Sequence, residues 1–443
     1  MRRSHIVVAV LCASAMFAVG LAAVGINAGE QKKSIRVIYS NDLIGYTEPC
    51  GCGGHYEGGL PRRATEMSIL VKENPNIVVV DSGNLSNTPE KLDVITTVMS
   101  QLNYDAIGMG ASDIRLGKDF LNETAAKKLV VLDASPAAKE TTKPYVIKVV
   151  DGVKVGIISF GFVPEKQDQL ALRKSLYGTY KKARDESDIL IVLDQSDTIN
   201  KEWIERNGPR FGAPDLVVGG VQKMGMTQPD VVGKTYICPT SYQGKYLGVA
   251  DVEFVKGHDA KIDVRKIFLE KAIPEDEAVL KMVKGEREHA VKTSSRQLVA
   301  PKAGKNIIAS GSSAGDGDKK PYYPPQLCRT CHLKEYEDWA KTGHANAIKT
   351  LVDAKRTVPE CLTCHTEMFR RLGQWASSAD GIGGVECASC HANSLPHGLE
   401  RTNVKQKTKV NPALCLDCHT KDKSPEYDED LYFPMTTHGA SDD

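Results

Sequence analysis

The sequence predicts an α/β domain followed by a mainly α domain, and three observations carry that division. From residue 34 to 270, short runs rich in Val and Ile alternate with helical stretches. Between 293 and 325 the composition shifts. Ala309-Ser-Gly-Ser-Ser-Ala-Gly-Asp-Gly-Asp318 has no apolar periodicity and reads as a linker, and Lys320-Pro-Tyr-Tyr-Pro-Pro325 reads as an extended arm. Beyond it the pattern Cys-x-x-Cys-His occurs four times, at Cys328–His332, Cys361–His365, Cys387–His391 and Cys415–His419. The expected organisation is a leader over 1–28, the α/β domain over 34–292, the linker over 293–325 and the motif-bearing domain over 326–443.

Met1-Arg-Arg opens a segment whose uncharged run Ile6–Ala23, with Ala28 after it, has the pattern of an export signal. The run is near the length that spans a bilayer, so an uncleaved anchor is the alternative to a cleaved signal. Either form exports the body of the chain. Within the α/β domain, Ile35–Tyr39, Ile77–Asp81, Ala106–Met109, Val153–Phe160, Ile189–Leu193 and Leu216–Gly219 read as strands. Arg62–Glu73 and Leu92–Asn103 read as helices between them. Several strands end in Asp, Gly or Ser, as strands do where a site opens at a sheet edge.

The repeated motif is the attachment signature of c-type haem. Two thiols three residues apart lie on one side of a helical turn and form thioethers to the porphyrin, and the adjacent His reaches the iron. A zinc ribbon also uses Cys-x-x-Cys pairs, but it leaves the His after every pair unexplained. Cys328, Cys331, Cys361, Cys364, Cys387, Cys390, Cys415 and Cys418 are therefore expected to attach four haem c groups. His332, His365, His391 and His419 are the expected proximal ligands. Outside the motifs this region holds only His344, His397 and His438, three distal candidates for four irons. One iron then either keeps an open position or takes Met368, Met435, a Lys, or His289 or His55 from elsewhere.

Cys328-Arg-Thr-Cys-His332, with Tyr336, Trp339 and Thr342-Gly-His344, resembles the tetrahaem cytochrome family that receives electrons from hydroxylamine oxidation. So do Cys361-Leu-Thr-Cys-His365 and Gly383-Gly-Val-Glu-Cys387-Ala-Ser-Cys-His391 with His397. The resemblance covers roughly 326–440. It implies distal roles for His344 and His397, three haems held by two His each, and one haem with an open position. Ala392-Asn393 departs from the Gly-Pro that often follows the third motif in that family.

The α/β domain resembles the 5′-nucleotidase branch of the metallophosphoesterases. Ser40-Asn-Asp42-Leu-Ile44, Val80-Asp-Ser-Gly83-Asn84, Ala106-Ile-Gly-Met-Gly110-Ala111-Ser112-Asp113, Leu193-Asp194-Gln195 and Asp215-Leu-Val-Val-Gly219-Gly-Val221-Gln-Lys223 stand at that family's five motifs, and Gly244-Lys-Tyr-Leu-Gly248 at the strand after them. The resemblance implies a sandwich fold with two metals at the motifs. The ligands depart from it: Ile44, Asn84, Ala111, Ser112, Gln195, Val221 and Lys223 occupy ligand positions, and only Asp42 and Asp81 survive. Two carboxylates do not make a two-metal centre, so no phosphoesterase activity is expected. Cys50 and Cys52 follow the first motif and Cys238 follows the fifth. The resemblance would bring both loops to one sheet edge, where the three cysteines form either a disulfide with one thiol over or a metal or redox-active thiol site.

A net charge of +1 gives no reason to expect nucleic acid as a partner. Residues 326–443 hold 14 Lys and Arg against 17 Asp and Glu, which suits a basic redox partner. The expected function is electron transfer between redox proteins in the periplasm or at the cell surface, with the α/β domain as a docking or accessory module. Membrane attachment is expected only through the leader. The alternative is a reductase or oxidoreductase of small nitrogen or sulfur species, at a five-coordinate haem or at Cys50, Cys52 and Cys238.

Overall fold

The computed structural model describes residues 31–49, 56–134, 141–161, 169–219, 228–238, 243–296, 322, 324–373, 375, 384–391, 410–420 and 423–436. The α/β domain runs β1 (Lys33–Ser40), α1 (Leu60–Glu73), β2 (Ile77–Asp81), α2 (Leu92–Gln101), β3 (Ala106–Ile107), α3 (Ala111–Leu116), α4 (Lys118–Ala126), β4 (Tyr145–Val150), β5 (Val153–Phe160), α5 (Gln169–Asp185), β6 (Ile189–Asp194), α6 (Lys201–Phe211), β7 (Leu216–Val218), β8 (Asp230–Val232), β9 (Thr235–Ile237), β10 (Tyr246–Phe254), β11 (Lys261–Phe268) and α7 (Glu277–Arg296). Two sheets result, ordered β11-β10-β1-β2-β3 and β4-β5-β6-β7-β9-β8. The first sheet is antiparallel along β11-β10-β1 and parallel along β1-β2-β3, and the second is parallel along β5-β6-β7-β9 with an antiparallel strand at each edge.

The period-2 alternation of each strand decides the layering. Ile35, Val37 and Tyr39 of β1 point into the space between the sheets, where they meet Val78, Val155, Ile191 and Val252. Ile38 and Val79 point the other way, onto Leu60, Met67 and Leu70 of α1 and Ile95 and Val98 of α2. The second sheet repeats this outward: Ile158, Leu190 and Val192 pack on Tyr180 of α5 and Trp203 of α6. The layers are thus helix, sheet, sheet, helix. Strands covered on both faces read as continuous apolar runs, which is why the central strands were legible. Of the edge strands, β3 was legible and the other three were not: β4 and β8 expose Val149 and Val231, and β11 is half polar.

The second domain is built from short helices: α8 (Pro325–Arg329), α9 (Leu333–Ala340), α10 (Ala347–Asp353), α11 (Pro359–His365), α12 (Glu367–Leu372), α13 (Cys387–His391) and α14 (Glu429–Tyr432). Tight helical segments cover Pro412–Asp417 and Phe433–Thr436. Among the described residues its buried apolar cluster is Ile348, Leu351, Leu362 and Trp375. The linker expected from 293 differs at both ends. No Gly or Pro stops α7 before Arg296, and Tyr322 is buried, its hydroxyl donating to Glu386 Oε1 at 3.1 Å. Among the described residues no helix is long and apolar enough to cross a membrane. The leader lies outside the described residues.

Tyr39 faces Gly248 across the β1–β10 pair. A Cβ on Gly248 would sit 2.0 Å from Tyr39 Cζ. Gly248→Ala is therefore expected to cost about 1–3 kcal/mol by overpacking, read as a lower urea midpoint at unchanged slope.

Candidate haem sites and a degenerate metal cleft

Each attachment motif is a turn of helix. His332 N–H donates to Cys328 C=O at 2.9 Å and His419 N–H to Cys415 C=O at 2.8 Å. The second motif ends α11, and the third is α13 itself. An i to i+4 bond sets both thiols and the imidazole on adjoining sides of one turn. The motifs also meet in pairs. The Cys328 and Cys387 thiols are within hydrogen-bond reach of each other, as are those of Cys364 and Cys418. The first and third attachment points therefore lie side by side, and so do the second and fourth.

The imidazoles fit axial ligation. His365 Nδ1 lies 2.7 Å from Ala347 C=O. A carbonyl only accepts, so Nδ1 carries the proton and the Nε2 lone pair is left for a metal. His419 Nδ1 lies 3.0 Å from Ser424 Oγ. The His344 and His419 ring centroids are 6.1 Å apart. Two imidazoles on one iron place their centroids roughly 6 Å apart, because each metal–nitrogen bond is about 2 Å. Burial pushes both rings toward the neutral, ligating form. Tyr427 stacks on His419 with centroids 4.7 Å apart. His397 and His438 lie outside the described residues. Met368 is buried in α12, whereas Met435 is 65% exposed and His289 is exposed on α7. His55 lies outside the described residues.

Backbone contacts hold His344 in place. Its carbonyl accepts from Val385 N–H at 2.9 Å, and a Cβ on Gly384 would stand 2.7 Å from the same oxygen. Gly384 also has φ +128°, open only to glycine. Glu367 ties the next helix in: its backbone N–H donates to Gly384 C=O, and its buried carboxylate accepts from Arg371 Nε (2.5 Å) and Ser389 Oγ (2.9 Å). Sequence reasoning missed Gly384, Glu367 and Ser424 as site residues. The only available signal was the run Gly383-Gly-Val-Glu before the third motif.

The first four metallophosphoesterase motifs converge at the strand ends of both sheets. Asp42 Oδ1 accepts from Asn84 Nδ2 at 2.7 Å and Gln195 Nε2 at 3.4 Å, and Oδ2 accepts from Asn41 Nδ2 at 2.6 Å. Gln195 Nε2 also donates to Ser82 Oγ at 3.0 Å, and the Ser112 N–H and Oγ donate to Asn84 Oδ1 at 2.9 and 3.0 Å. Asp81 accepts from Ser40 Oγ at 2.6 Å. Asp113 caps the loop through the N–H groups of Gly110, Asn84 and Leu85. Burial pushes the Asp42 carboxyl up, against these amide hydrogen bonds. Among the described residues no group of three or more His, Cys, Asp or Glu converges to hold a metal. Val221 and Lys223 lie outside the described residues.

Cys238 is fully buried in the core between the sheets, beside Tyr39, and burial pushes its thiol up to about 12. A thiol held neutral in this way is a poor nucleophile and a poor metal ligand. Cys50 and Cys52 lie outside the described residues.

Residues 327–392, which hold the first three motifs, match the family described as cytochrome c554 and c-prime. This segment is thus similar to a cytochrome c family, which supports covalently bound haem c as its cofactor. Structural similarity covers the α/β domain. A 5′-nucleotidase precursor from Thermus thermophilus superposes with a TM-score of 0.50 at 19% identity, over 60% of this chain and 61% of that one. A sulfate thiohydrolase, SoxB, from the same species gives 0.49 at 16% identity, over 58% and 60%. The calcineurin-like phosphoesterase YfkN from Bacillus subtilis gives 0.45 at 20%, over 58% and 98%. No curated protein matches the chain. At 19% identity the likeness to the 5′-nucleotidase precursor shows the fold alone: an α/β metallophosphoesterase-type domain, here followed by a helical region with the cytochrome c match.

Replacing His344 by Ala is expected to convert one low-spin haem to a high-spin form in low-temperature EPR of the oxidised protein. Gly384→Ala should do so partially, with a stability loss of about 1–3 kcal/mol from backbone strain and overpacking.

Proposed function

We propose that this chain is an exported tetrahaem cytochrome that passes electrons between redox proteins, and that its α/β domain no longer hydrolyses phosphate esters. The observation that carries this reading is the pairwise meeting of four Cys-x-x-Cys-His turns in a domain with a very small apolar cluster. The eight motif cysteines would anchor the haems. His332, His365, His391 and His419 would be proximal ligands, with His344 opposite His419, and His397 and His438 as the remaining distal candidates. Bound haem supplies a one-electron iron couple. The protein orients the imidazoles, through Ala347 C=O for His365 and Ser424 Oγ for His419. Adjacent attachment points favour rapid exchange within each pair. The export reading rests on Met1-Arg-Arg and the Ile6–Ala23 run, together with haem attachment outside the cytoplasm. The periplasm or cell surface is the proposed location.

The inactive-phosphoesterase reading rests on the amide network around Asp42, which fills with hydrogen bonds the place where a metal pair needs anionic and imidazole donors. A second reading is favoured by the count of three non-motif histidines for four irons: one open iron would bind small nitrogen species.

Three measurements test these statements on the purified holoprotein. Pyridine haemochrome analysis should give four haems per chain. Phosphate ester hydrolysis with added Mn²⁺ should stay at background, and metal-dependent turnover would overturn the inactive reading. CO binding by one ferrous haem in four favours the open-iron reading, and no CO binding leaves electron transfer alone.

A further inference from the structure

The haem-bearing domain sits on the mouth of the degenerate cleft. The loop after β1 supplies Tyr46, Glu48 and the Pro49 carbonyl, the turn before α2 supplies Lys91, and the turn before β10 supplies Gln243. Onto these come residues flanking the second and fourth attachment motifs. Arg356 donates to Pro49 C=O at 3.1 Å and pairs with Glu48 at 3.6 Å. Glu360, next to Cys361, pairs with Lys91. Lys423 donates to Tyr46 Oη at 2.7 Å and to Gln243 Oε1 at 3.4 Å, with its ammonium 4.3 Å from the Tyr46 ring centre. The receiving side is firmly held: Gln243 is buried, and its backbone N–H donates to Asp42 C=O at 2.8 Å.

Lys423 is one residue from Ser424, whose hydroxyl meets His419 Nδ1. The N–H groups of both Lys423 and Ser424 donate to Thr420 C=O, at 3.0 and 2.8 Å. The two residues therefore form one tight turn directly after His419, and fixing Lys423 fixes Ser424. With Nε2 given to a metal, His419 Nδ1 carries the proton and donates to Ser424 Oγ. That bond makes the imidazole a stronger electron donor and stabilises the oxidised iron.

We propose that the mouth of the degenerate phosphoesterase cleft is an internal docking surface that sets the reduction potential of the haem at the fourth motif. Lys423 is the positioning residue and the Ser424–His419 hydrogen bond is the readout. This rests on haem occupying the Cys415–His419 motif. A domain that has lost metal chemistry at its strand ends thereby keeps a role at the same strand ends, as a rigid seat that holds one axial ligand's hydrogen bond.

The test uses full-length holoprotein, with haem content measured first and optical redox titration plus low-temperature EPR afterwards. Ser424→Ala should raise the midpoint of one component, carrying about a quarter of the absorbance change, and alter one low-spin signal while the others stay. Lys423→Ala should move the same component the same way. Tyr46→Phe, which removes one oxygen from the other domain and leaves the fold intact, should do so to a smaller degree. Lys423→Arg should stay near wild type. A shift in Ser424→Ala with none in Lys423→Ala and Tyr46→Phe would overturn the coupling, as would no shift in any of the three. Fewer than four haems in the wild type would instead overturn the tetrahaem reading beneath it.

Discussion

Among its described residues the motif-bearing domain buries few apolar side chains, and the rest of its construction depends on that. In the α/β domain three broad apolar clusters hold two sheets and their helices together, whereas Ile348, Leu351, Leu362 and Trp375 are the buried apolar cluster described in the second domain. A domain of about this size needs another source of stability when apolar burial is so limited. Thiols and imidazoles converge where a core would otherwise be. The buried polar groups follow the same logic. Glu367 is fully buried, yet it is neutralised by Arg371 and bonded to Ser389, so it joins α12 to the third motif instead of standing as an uncompensated charge.

On the reading proposed above, the α/β domain keeps a fold whose chemistry it has lost. A metal pair normally offsets the cost of gathering carboxylates at the strand ends. Here neutral amides do so: Asn41, Asn84 and Gln195 surround Asp42 with donors, and Ser40 and the Gly83 N–H satisfy Asp81. The loops keep the conformations of a binding site. Asp42, Ile44 and Asn84 all have positive φ, at a cost of order 1–3 kcal/mol each. Gly110 approaches Asn84 so closely that a Cβ would stand 2.1 Å from Asn84 Oδ1. The strain is retained because the loops are pinned from both sides by the sheet registers and by Asp113.

Much of this was legible in the sequence, for identifiable reasons. Ile77–Asp81 and Val153–Phe160 were read to the residue because strands buried on both faces leave uninterrupted apolar runs. The Cys-x-x-Cys-His turns were legible because their chemistry fixes the spacing. β4, β8 and β11 escaped because they are edge strands: β8 is only Asp230–Val232, and β4 and β11 alternate weakly and carry lysine. Ser424, Gly384 and Glu367 escaped for another reason. Each acts on an imidazole or a helix through one hydrogen bond or one close approach, and a single contact leaves no period or spacing to read. The partners across the domain boundary, Arg356 with Glu48 and Lys423 with Tyr46, are separated by some 300 residues and carry no local signal at all.

The chemistry of that boundary follows from what the cleft has become. A working two-metal centre needs an open mouth for substrate and product. On the proposed reading, in which amides close over Asp42 and no substrate enters, the polar rim of the mouth is available for contact. The contacts formed there are ion pairs and hydrogen bonds rather than apolar packing. Such contacts give register and orientation more than affinity. Affinity is not what a tethered domain lacks, because the chain joining the two domains already holds them at high effective concentration. A polar seat is therefore sufficient to fix the geometry, and it places that geometry beside the second and fourth attachment motifs, where a small displacement of one side chain reaches an axial ligand.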